Sequence, residues 1–280
     1  MSAETFFIVI FAAFLHALWN AIVKGAGDRA LVLGLIASGH VVPGAVLIYL
    51  YGMPDSAAFP FIVATTVIHW GYYVLLNVAY RTGDLSVVYP VARGVAPVLI
   101  ALGALVWADE HLPMMAWIGI FAVSGGIMLL AGETFAGQAA RSGLVAAVGL
   151  AVVIASYSIV DGIGVRVSNN PGGYIGWIFA AEIFVVLYIF GTRWSRFRVM
   201  SPKAIWIGLI GGFVSGAAYG LVLLAKTTAP LGIVSALRET SVIFAALIGV
   251  LWFAEGPRRN RIVAAVVVAS GVVLSVGARG

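Results

Sequence analysis

Long apolar segments follow one another along the whole chain, separated by short polar turns. Ten such segments cover residues 5–23, 31–51, 59–79, 85–107, 113–131, 143–162, 173–191, 203–224, 230–253 and 260–278. A helix needs about 20 apolar residues to cross a bilayer core, so the pattern predicts ten transmembrane helices. Because the segments are continuously apolar rather than alternating, a transmembrane β-barrel is disfavoured. The expected fold is an all-α integral membrane protein.

The composition supports this class of protein and excludes others. Of 280 residues, 62% are hydrophobic and 10% are charged, whereas a soluble domain carries about 25% charged residues. The mean hydropathy of +1.08 also excludes a disordered chain. The absence of cysteine excludes disulfides, thiolate chemistry and cysteine-ligated metal sites.

Basic residues are concentrated in alternate loops, which predicts the orientation of the chain. The odd-numbered loops hold eleven: Lys24, Arg29, Arg81, Arg141, Arg193, Arg196, Arg198, Lys203, Arg258, Arg259 and Arg261. The even-numbered loops and the C-terminal tail hold three: Arg166, Lys226 and Arg279. Cytoplasmic loops are enriched in Lys and Arg, so we expect the odd loops in the cytoplasm and both termini outside. This placement accounts for the net charge of +5 without a nucleic-acid partner.

The chain carries an internal duplication at an offset of 145 residues, which aligns residues 89–93 with 234–238. Further equivalent pairs are Trp107 and Trp252, Glu110 and Glu255, and Gly126 and Gly271, with a weaker similarity of Trp19 and Asn20 to Tyr157 and Ser158. We expect two five-helix units, 1–131 and 143–280, joined by a connecting loop over 132–142. An odd number of helices per unit inverts the second unit. Inverted repeats are typical of alternating-access transporters, which bind substrate near the bilayer middle.

These features resemble the drug/metabolite transporter superfamily, in its ten-helix, two-repeat EamA branch. The resemblance rests on residues 16–21 (His-Ala-Leu-Trp-Asn-Ala) and on residues 79–110 with their repeated copy at 226–255. It covers essentially the whole chain. Within the branch, the chain is most similar to YddG-type exporters of aromatic and other neutral amino acids. The resemblance implies helices around a central cavity, no cofactor, and location in the bacterial inner (plasma) membrane.

Arg93 and Arg238 are repeat-related arginines that lie deep in their helices. Each is about eight residues from its helix start, or ~12 Å at 1.5 Å per residue, and a central arginine costs about 2.5–3.5 kcal/mol on insertion scales. One interpretation is that each guanidinium faces a cavity and attracts a carboxylate of the solute. The other is that each is held by a neighbouring helix, with Glu239 as a partner. Pro90 and Pro97 flank Arg93 and predict a kinked helix there.

Aromatic and amide side chains form a second group of candidate solute ligands. His69, Tyr73 and Asn77, with Tyr72 and Tyr80, share one stripe of the third helix at i, i+3, i+4 spacing. Such a wall suits a neutral or aromatic solute, although packing and interfacial roles explain the same residues. Further solute-binding candidates are Trp19, Asn20, Tyr89, Tyr157, Tyr219 and Glu239.

Two embedded acids, Glu182 and Glu239, are candidates for proton coupling, because burial favours the protonated carboxyl. A structural role is the favoured alternative: Glu239 neutralises an arginine and Glu182 lines a polar seam. Asp161 is expected near a helix end. Gly208, Gly212, Gly216 and Gly220 make a groove for close helix packing, which also permits sliding between helices. His16 and His40 are isolated, and no spacing resembles a metal site.

The sequence therefore predicts a secondary transporter, an exporter, of small metabolites, with aromatic or neutral amino acids as the preferred solutes. The alternatives are an exporter of drugs, nucleobases or other organic solutes, and a facilitative channel. An enzyme is disfavoured because the chain has neither H-E-x-x-H nor G-x-S-x-G and no paired embedded aspartates. A phosphate-binding loop for ATP is also absent. The expected partners are a small solute and the lipid bilayer, with the chain as a monomer.

Overall fold

The computed structural model describes the backbone of residues 1–24, 27–82, 85–129, 139–253 and 259–277. This part of the chain is helical apart from short connections. Its α-helices are α1 (Ala3–Val23), α2 (Arg29–Tyr51), α3 (Phe59–Thr82), α4 (Leu85–Trp107), α5 (Met114–Met128), α6 (Ala139–Val167), α7 (Pro171–Ala180), α8 (Ile183–Phe197), α9 (Pro202–Lys226), α10 (Leu231–Arg238), α11 (Ser241–Phe253) and α12 (Arg259–Gly277). One 3₁₀ turn, Ser56–Ala58, precedes α3.

Seven helical segments in the described ranges are long and apolar enough to cross a membrane. They are Ala3–Val23, Ala30–Tyr51, Pro90–Trp107, Leu144–Val167, Pro171–Phe197, Pro202–Lys226 and Leu231–Trp252. Two shorter apolar helices are Met114–Met128 and Arg261–Gly277. Large apolar side chains such as Phe7, Tyr49 and Val106 are exposed, whereas Arg93, Asp161 and other charged side chains are buried. Apolar groups outside and charged groups inside are what a multi-pass membrane protein requires.

Two of the apolar segments are each divided into a pair of helices. The segment over 173–191 breaks after α7 at Ala181 and Glu182, and the segment over 230–253 breaks after α10 at Glu239 and Thr240. At the second break the amides of Glu239 and Thr240 donate to carbonyls three residues back, at 3.1 and 3.0 Å, instead of four. The Thr240 hydroxyl also donates to the Leu237 carbonyl. Hydropathy averaged over a segment does not report such breaks, because the few polar residues at each break, Glu182 in one and Glu239 and Thr240 in the other, lie within a long apolar run.

The sixth segment is longer than the sequence pattern predicts. Helix α6 begins at Ala139 and ends at Val167, so the expected connecting loop over 132–142 overlaps its start, and residues 132–138 lie outside the described residues. Asp161, expected near a helix end, instead lies within α6 and is 0% exposed. Glycines at 162 and 164 do not end the helix, because Leu231 and Tyr174 pack closely over them.

Helix packing brings the two halves of the chain together. Helix α5 packs on α12, α4 on α6, α1 on α9, α3 on α6, and α2 on both α7 and α9. Helices α2 and α9 meet backbone to backbone: a Cβ atom at Gly212 would lie 2.5 Å from the Ile36 carbonyl oxygen, and one at Gly39 would lie 2.8 Å from Gly212. The other glycines of the predicted groove lie against the side chains of Leu35 (Gly208), His40 (Gly216) and Ile175 (Gly220).

Candidate functional site

A cavity of about 690 Å³ lies at the centre of the bundle. Side chains of α1, α2, α3, α4, α6, α7, α8, α9 and α10 line it. It reaches Lys24 and Gly27, at the turn that follows α1. Under the positive-inside prediction this turn is cytoplasmic, so the cavity extends from the bilayer middle toward that side. Its volume is in the range of small-molecule sites.

Arg238 lies in the wall of this cavity with its guanidinium over the ring of Tyr219, 5.9 Å from the ring centroid. Among the described residues it makes no ion pair. The position follows from the helix break, because Arg238 is the last residue of α10 and therefore lies where the helix axis is interrupted. A guanidinium in this setting can bind a carboxylate with little competition from the protein.

Arg93 also lines the cavity, but a carboxylate of the protein holds it. Its Nη2 atom lies 3.1 Å from Glu239 Oε1, and the two residues are 5% and 4% exposed. Glu239 is the residue after Arg238, and it points across to α4 rather than back to its neighbour. The repeat-related arginines are therefore not equivalent: Arg93 is paired with a carboxylate, and Arg238 makes no ion pair among the described residues.

Aromatic rings form a continuous wall beside Arg238. The ring of His69 packs on Tyr157 at 4.5 Å between centroids and on Tyr219 at 6.2 Å. Tyr157 contacts Tyr219 and Tyr72, both at 6.1 Å. These rings come from α3, α6 and α9, so only the tertiary structure brings them together.

Polar side chains of α1 and α2 form another part of the cavity wall. Trp19 Nε1 donates to His16 Nδ1 at 3.3 Å, and the Asn20 amide donates to the His16 carbonyl at 2.8 Å. The Nε2 atoms of His16 and His40 have no hydrogen-bond partner among the described residues. Both histidines line the cavity, but these two nitrogen atoms are themselves buried.

The candidate residues from the sequence fall into three groups. Those that line the cavity are Trp19, Asn20, His69, Arg93, Tyr157, Glu182, Tyr219 and Arg238. Glu239 is not among the lining residues and forms an ion pair with Arg93. The side chains of Tyr73, Asn77 and Tyr89 lie outside the described residues, although α3 and α4 carry their backbone.

Sequence reasoning missed His16 and His40 as cavity residues. His16 lies one turn before Trp19 and Asn20, so its helical face was a usable signal. His40 has no such neighbour in the sequence, and packing of α2 on α7 and α9 alone places it. Among the described residues no cluster of His, Asp and Glu has a geometry for holding a metal ion.

Arg166 and Glu110 form a cluster of charged contacts, called the strap below, that ties helices together at the end of the bundle opposite Lys24. Arg166 pairs with Glu110 at 2.7 Å and donates to the carbonyls of Lys226 and Ala229 at 2.7 and 2.8 Å. Glu110 also accepts from the backbone N–H of Leu231 at 2.7 Å, at the start of α10. The strap joins the turn after α4 to the ends of α6 and α9.

Comparisons with known proteins give a family for the second half of the chain and a fold for the whole. Residues 141–277 match the EamA-like transporter family. No curated protein matches the sequence. A solved structure, described only as the crystal structure of a protein, is similar with a TM-score of 0.74 at 17% identity, over 99% of this chain and 98% of that one. At this identity the likeness shows the fold alone.

Proposed function

Because residues 141–277 form an EamA-like transporter domain, we propose that the whole chain is a ten-helix transporter of the drug/metabolite transporter superfamily. It exports small metabolites, with aromatic or neutral amino acids as the preferred solutes, by alternating access through the central cavity. The match of residues 141–277 to a transporter family favours a carrier over an enzyme, and the cavity supplies ligand-binding groups for a solute. The working form is a monomer in the bilayer.

Helix packing supports two inverted five-helix units, 1–131 and 143–280. If α1 is equivalent to α6 and α3 to α9, the α1–α9 contact corresponds to the α6–α3 contact, and both are extensive. Helices α5 and α12 are then equivalent and pack on each other, as a pseudo-two-fold axis between them requires. Such an axis generates the two alternating states of an inverted-repeat transporter.

The proposed solute class rests on Arg238, which lies beside the aromatic wall and makes no ion pair among the described residues. A zwitterionic amino acid offers a carboxylate to the guanidinium and an apolar or aromatic side chain to Tyr157, Tyr219 and His69. A nucleobase or an uncharged drug would offer the arginine only neutral hydrogen-bond acceptors and no opposite charge, and charge-assisted bonds are the stronger ones. The strap at Glu110 and Arg166 disfavours a facilitative channel, because a channel needs a path open at both ends.

Counterflow in proteoliposomes tests the proposal. Vesicles loaded with an unlabelled aromatic or neutral amino acid should take up the same labelled compound, and unlabelled solute outside should compete. Losing a charged hydrogen bond of about 1.5–3 kcal/mol should weaken apparent affinity in Arg238→Ala by roughly 10- to 100-fold. Arg198→Ala, at an exposed arginine away from the cavity, is the matched control. Absence of counterflow for every amino acid, with folded protein, would exclude this solute class.

We place the chain in the inner membrane of a bacterium, with both termini on the side away from the cytoplasm. A single cysteine introduced by Met53→Cys should react with an impermeant maleimide in intact cells, whereas Lys203→Cys should react only after permeabilisation. The native chain has no cysteine, so each variant carries one reactive thiol. The reverse labelling pattern would invert the topology.

A further inference from the structure

Asp161 is a carboxylate that the transport site, as described so far, does not use. It lies on α6 and is 0% exposed. Its Oδ1 accepts a hydrogen bond from the Tyr174 hydroxyl on α7 at 2.9 Å, and its Oδ2 accepts one from the Tyr219 hydroxyl on α9. Two donors and no acceptor around a carboxyl group are the pattern of its ionised form.

Every element packed around Asp161 contributes a titratable or charged group. Lys226 on α9 is 1% exposed and donates from Nζ to the Ser158 carbonyl, one turn before Asp161, at 2.8 Å. Its ammonium is attracted electrostatically by Asp161. The groups that face this region are Tyr157 and Arg166 from α6, Tyr174 from α7, Tyr219 and Lys226 from α9, Arg238 from α10, Glu110 from the turn after α4 and His69 from α3.

Tyr219 connects this buried carboxylate to the cavity. Its ring lines the cavity beneath the Arg238 guanidinium, while its hydroxyl donates to Asp161. One side chain therefore contacts both the proposed carboxylate-binding arginine and the buried acid. Glu239, the other fully buried acid, has its charge neutralised by Arg93 and has no comparable hydroxyl link.

We propose that Asp161 is the coupling-proton site of this protein, and that it exchanges protons with the cavity through Tyr219. The inference rests on the proposed transport function and adds its driving ion. In the proton-transfer step, the Tyr219 hydroxyl gives its proton to Asp161 Oδ2 and takes one from a hydronium ion in the cavity, which becomes water. One proton moves from solvent to carboxylate, and the tyrosine is unchanged.

Protonation changes the cavity through the same contact. A protonated carboxyl must itself donate a hydrogen bond, so the Tyr219 hydroxyl turns to accept, and a charge-assisted bond becomes a neutral, weaker one. The ring under Arg238 is then held less firmly. Proton binding and solute binding therefore oppose each other, which is reciprocal by linkage and is the thermodynamic requirement for proton–solute antiport.

The test separates coupling from transport by measuring both in the same proteoliposomes. Counterflow reports solute exchange without a pH gradient. Accumulation with an acidic vesicle interior, and proton efflux followed by a trapped pH dye, report coupling. The wild-type protein should accumulate solute up to about tenfold per pH unit for one proton per solute. If wild type shows counterflow but no response to the pH gradient, the coupling proposal is overturned and the transport function stands. If wild type shows no counterflow at all, the result counts against transport itself.

Asp161→Asn carries a neutral side chain like the protonated carboxyl, so it should retain counterflow with a weakened apparent affinity for the solute and lose pH-driven accumulation and proton movement. Asp109→Asn, at an exposed aspartate outside the cavity, is the matched control and should behave as wild type. Accumulation that persists in Asp161→Asn would overturn the proposal. If this variant does not fold because Lys226 is left without a counter-charge, the pair D161N/K226M is compared with Lys226→Met, and coupling retained in the pair would overturn it.

Tyr219→Phe and Tyr174→Phe separate the two hydroxyl groups on Asp161. Each removes one donor and no charge. The proposal expects proton movement to slow at least tenfold in Tyr219→Phe, the link to the cavity, and less in Tyr174→Phe. Equal effects, or a larger one at Tyr174, would contradict the route through Tyr219.

Discussion

Arg93 and Arg238 lie 145 residues apart at equivalent positions of the duplicated sequence, but a single glutamate decides their different states. Glu239 pairs with Arg93 because the chain turns between α10 and α11 and directs that carboxylate toward α4. Arg238, one residue earlier, is left facing the cavity.

The buried pair predicts a large cost for removing one partner. Glu239→Gln removes the carboxylate that lies 3.1 Å from the buried Arg93 guanidinium, and we expect a loss of about 3–5 kcal/mol in the free energy of unfolding. Replacing both residues with Met should recover most of it, because no lone charge remains. Denaturation in detergent micelles measures both, with Glu4→Gln at the exposed N-terminus as control. Equal stability of Glu239→Gln and wild type would show that the pair is not a stabilising contact.

Asp28 predicts a pH dependence on the proposed cytoplasmic side. Burial raises the pKa of this carboxyl, but hydrogen bonds from the Leu31 amide, Arg196 and the Ala30 amide outweigh burial, so the pKa lies below its usual 3.8. A folded-state pKa below the unfolded value stabilises the fold above the unfolded pKa, and this contribution is lost as the pH falls through the folded one. Asn also caps a helix, so Asp28→Asn removes chiefly the charge.

We therefore expect wild type to be more stable than Asp28→Asn at neutral pH, and the gap to close as the pH falls below about 4. Unfolding in detergent from pH 7 to pH 3 measures the gap. A gap that stays constant over this range would mean that the ionised carboxylate adds nothing beyond the amide.

At the scale of elements, close packing of α2 on α9 depends on the missing Cβ at Gly212. Gly212→Ala places that atom against the Ile36 backbone, at 2.5 Å from its carbonyl oxygen, where no side chain can move aside. We expect the helices to separate, with a loss of about 1–3 kcal/mol in stability. Gly149→Ala is the matched control within a helix, because nothing lies within 4 Å of its Cβ, and it should be neutral or stabilising by up to ~1 kcal/mol. Similar stability changes for the two variants would show that the groove tolerates a methyl group.

At the scale of the whole molecule, the Arg166 strap predicts which state of the transporter dominates. Arg166→Gln removes the ion pair with Glu110 and weakens ties to α9. A loss of about 1–3 kcal/mol from the closed end would raise the proportion of the oppositely opened state by roughly 5- to 150-fold. The measurement is labelling of Ser215→Cys, a cavity position, by an impermeant maleimide from the side of Met53.

Arg196→Gln is the control for that experiment. It breaks the ion pair with Asp28, 3.1 Å long, at the other end of the bundle, and should not increase labelling from the Met53 side. If Arg166→Gln labels no faster than wild type, the strap does not hold the cavity closed.

The sequence alone was sufficient to identify an all-helical membrane protein, because bilayer insertion imposes a local requirement: about 20 apolar residues per crossing. It also pointed to Trp19, His69, Tyr157 and Arg238 as cavity residues. The structure places these four side chains on the cavity wall, because a polar or amphipathic side chain deep in an apolar helix needs a polar environment and the cavity provides one.

Tertiary structure alone decided which polar groups meet. The pairing of Glu239 with Arg93, the two tyrosine donors on Asp161 and the placement of His40 are contacts between helices distant in sequence. Hydropathy does not encode them, because it reports whether a segment enters the membrane and not which neighbour each face receives. The breaks after α7 and α10 escaped prediction because each interrupts a long apolar segment with only a few polar residues, Glu182 in one and Arg238, Glu239 and Thr240 in the other. The second break sets which arginine pairs with Glu239 and which is left for a solute.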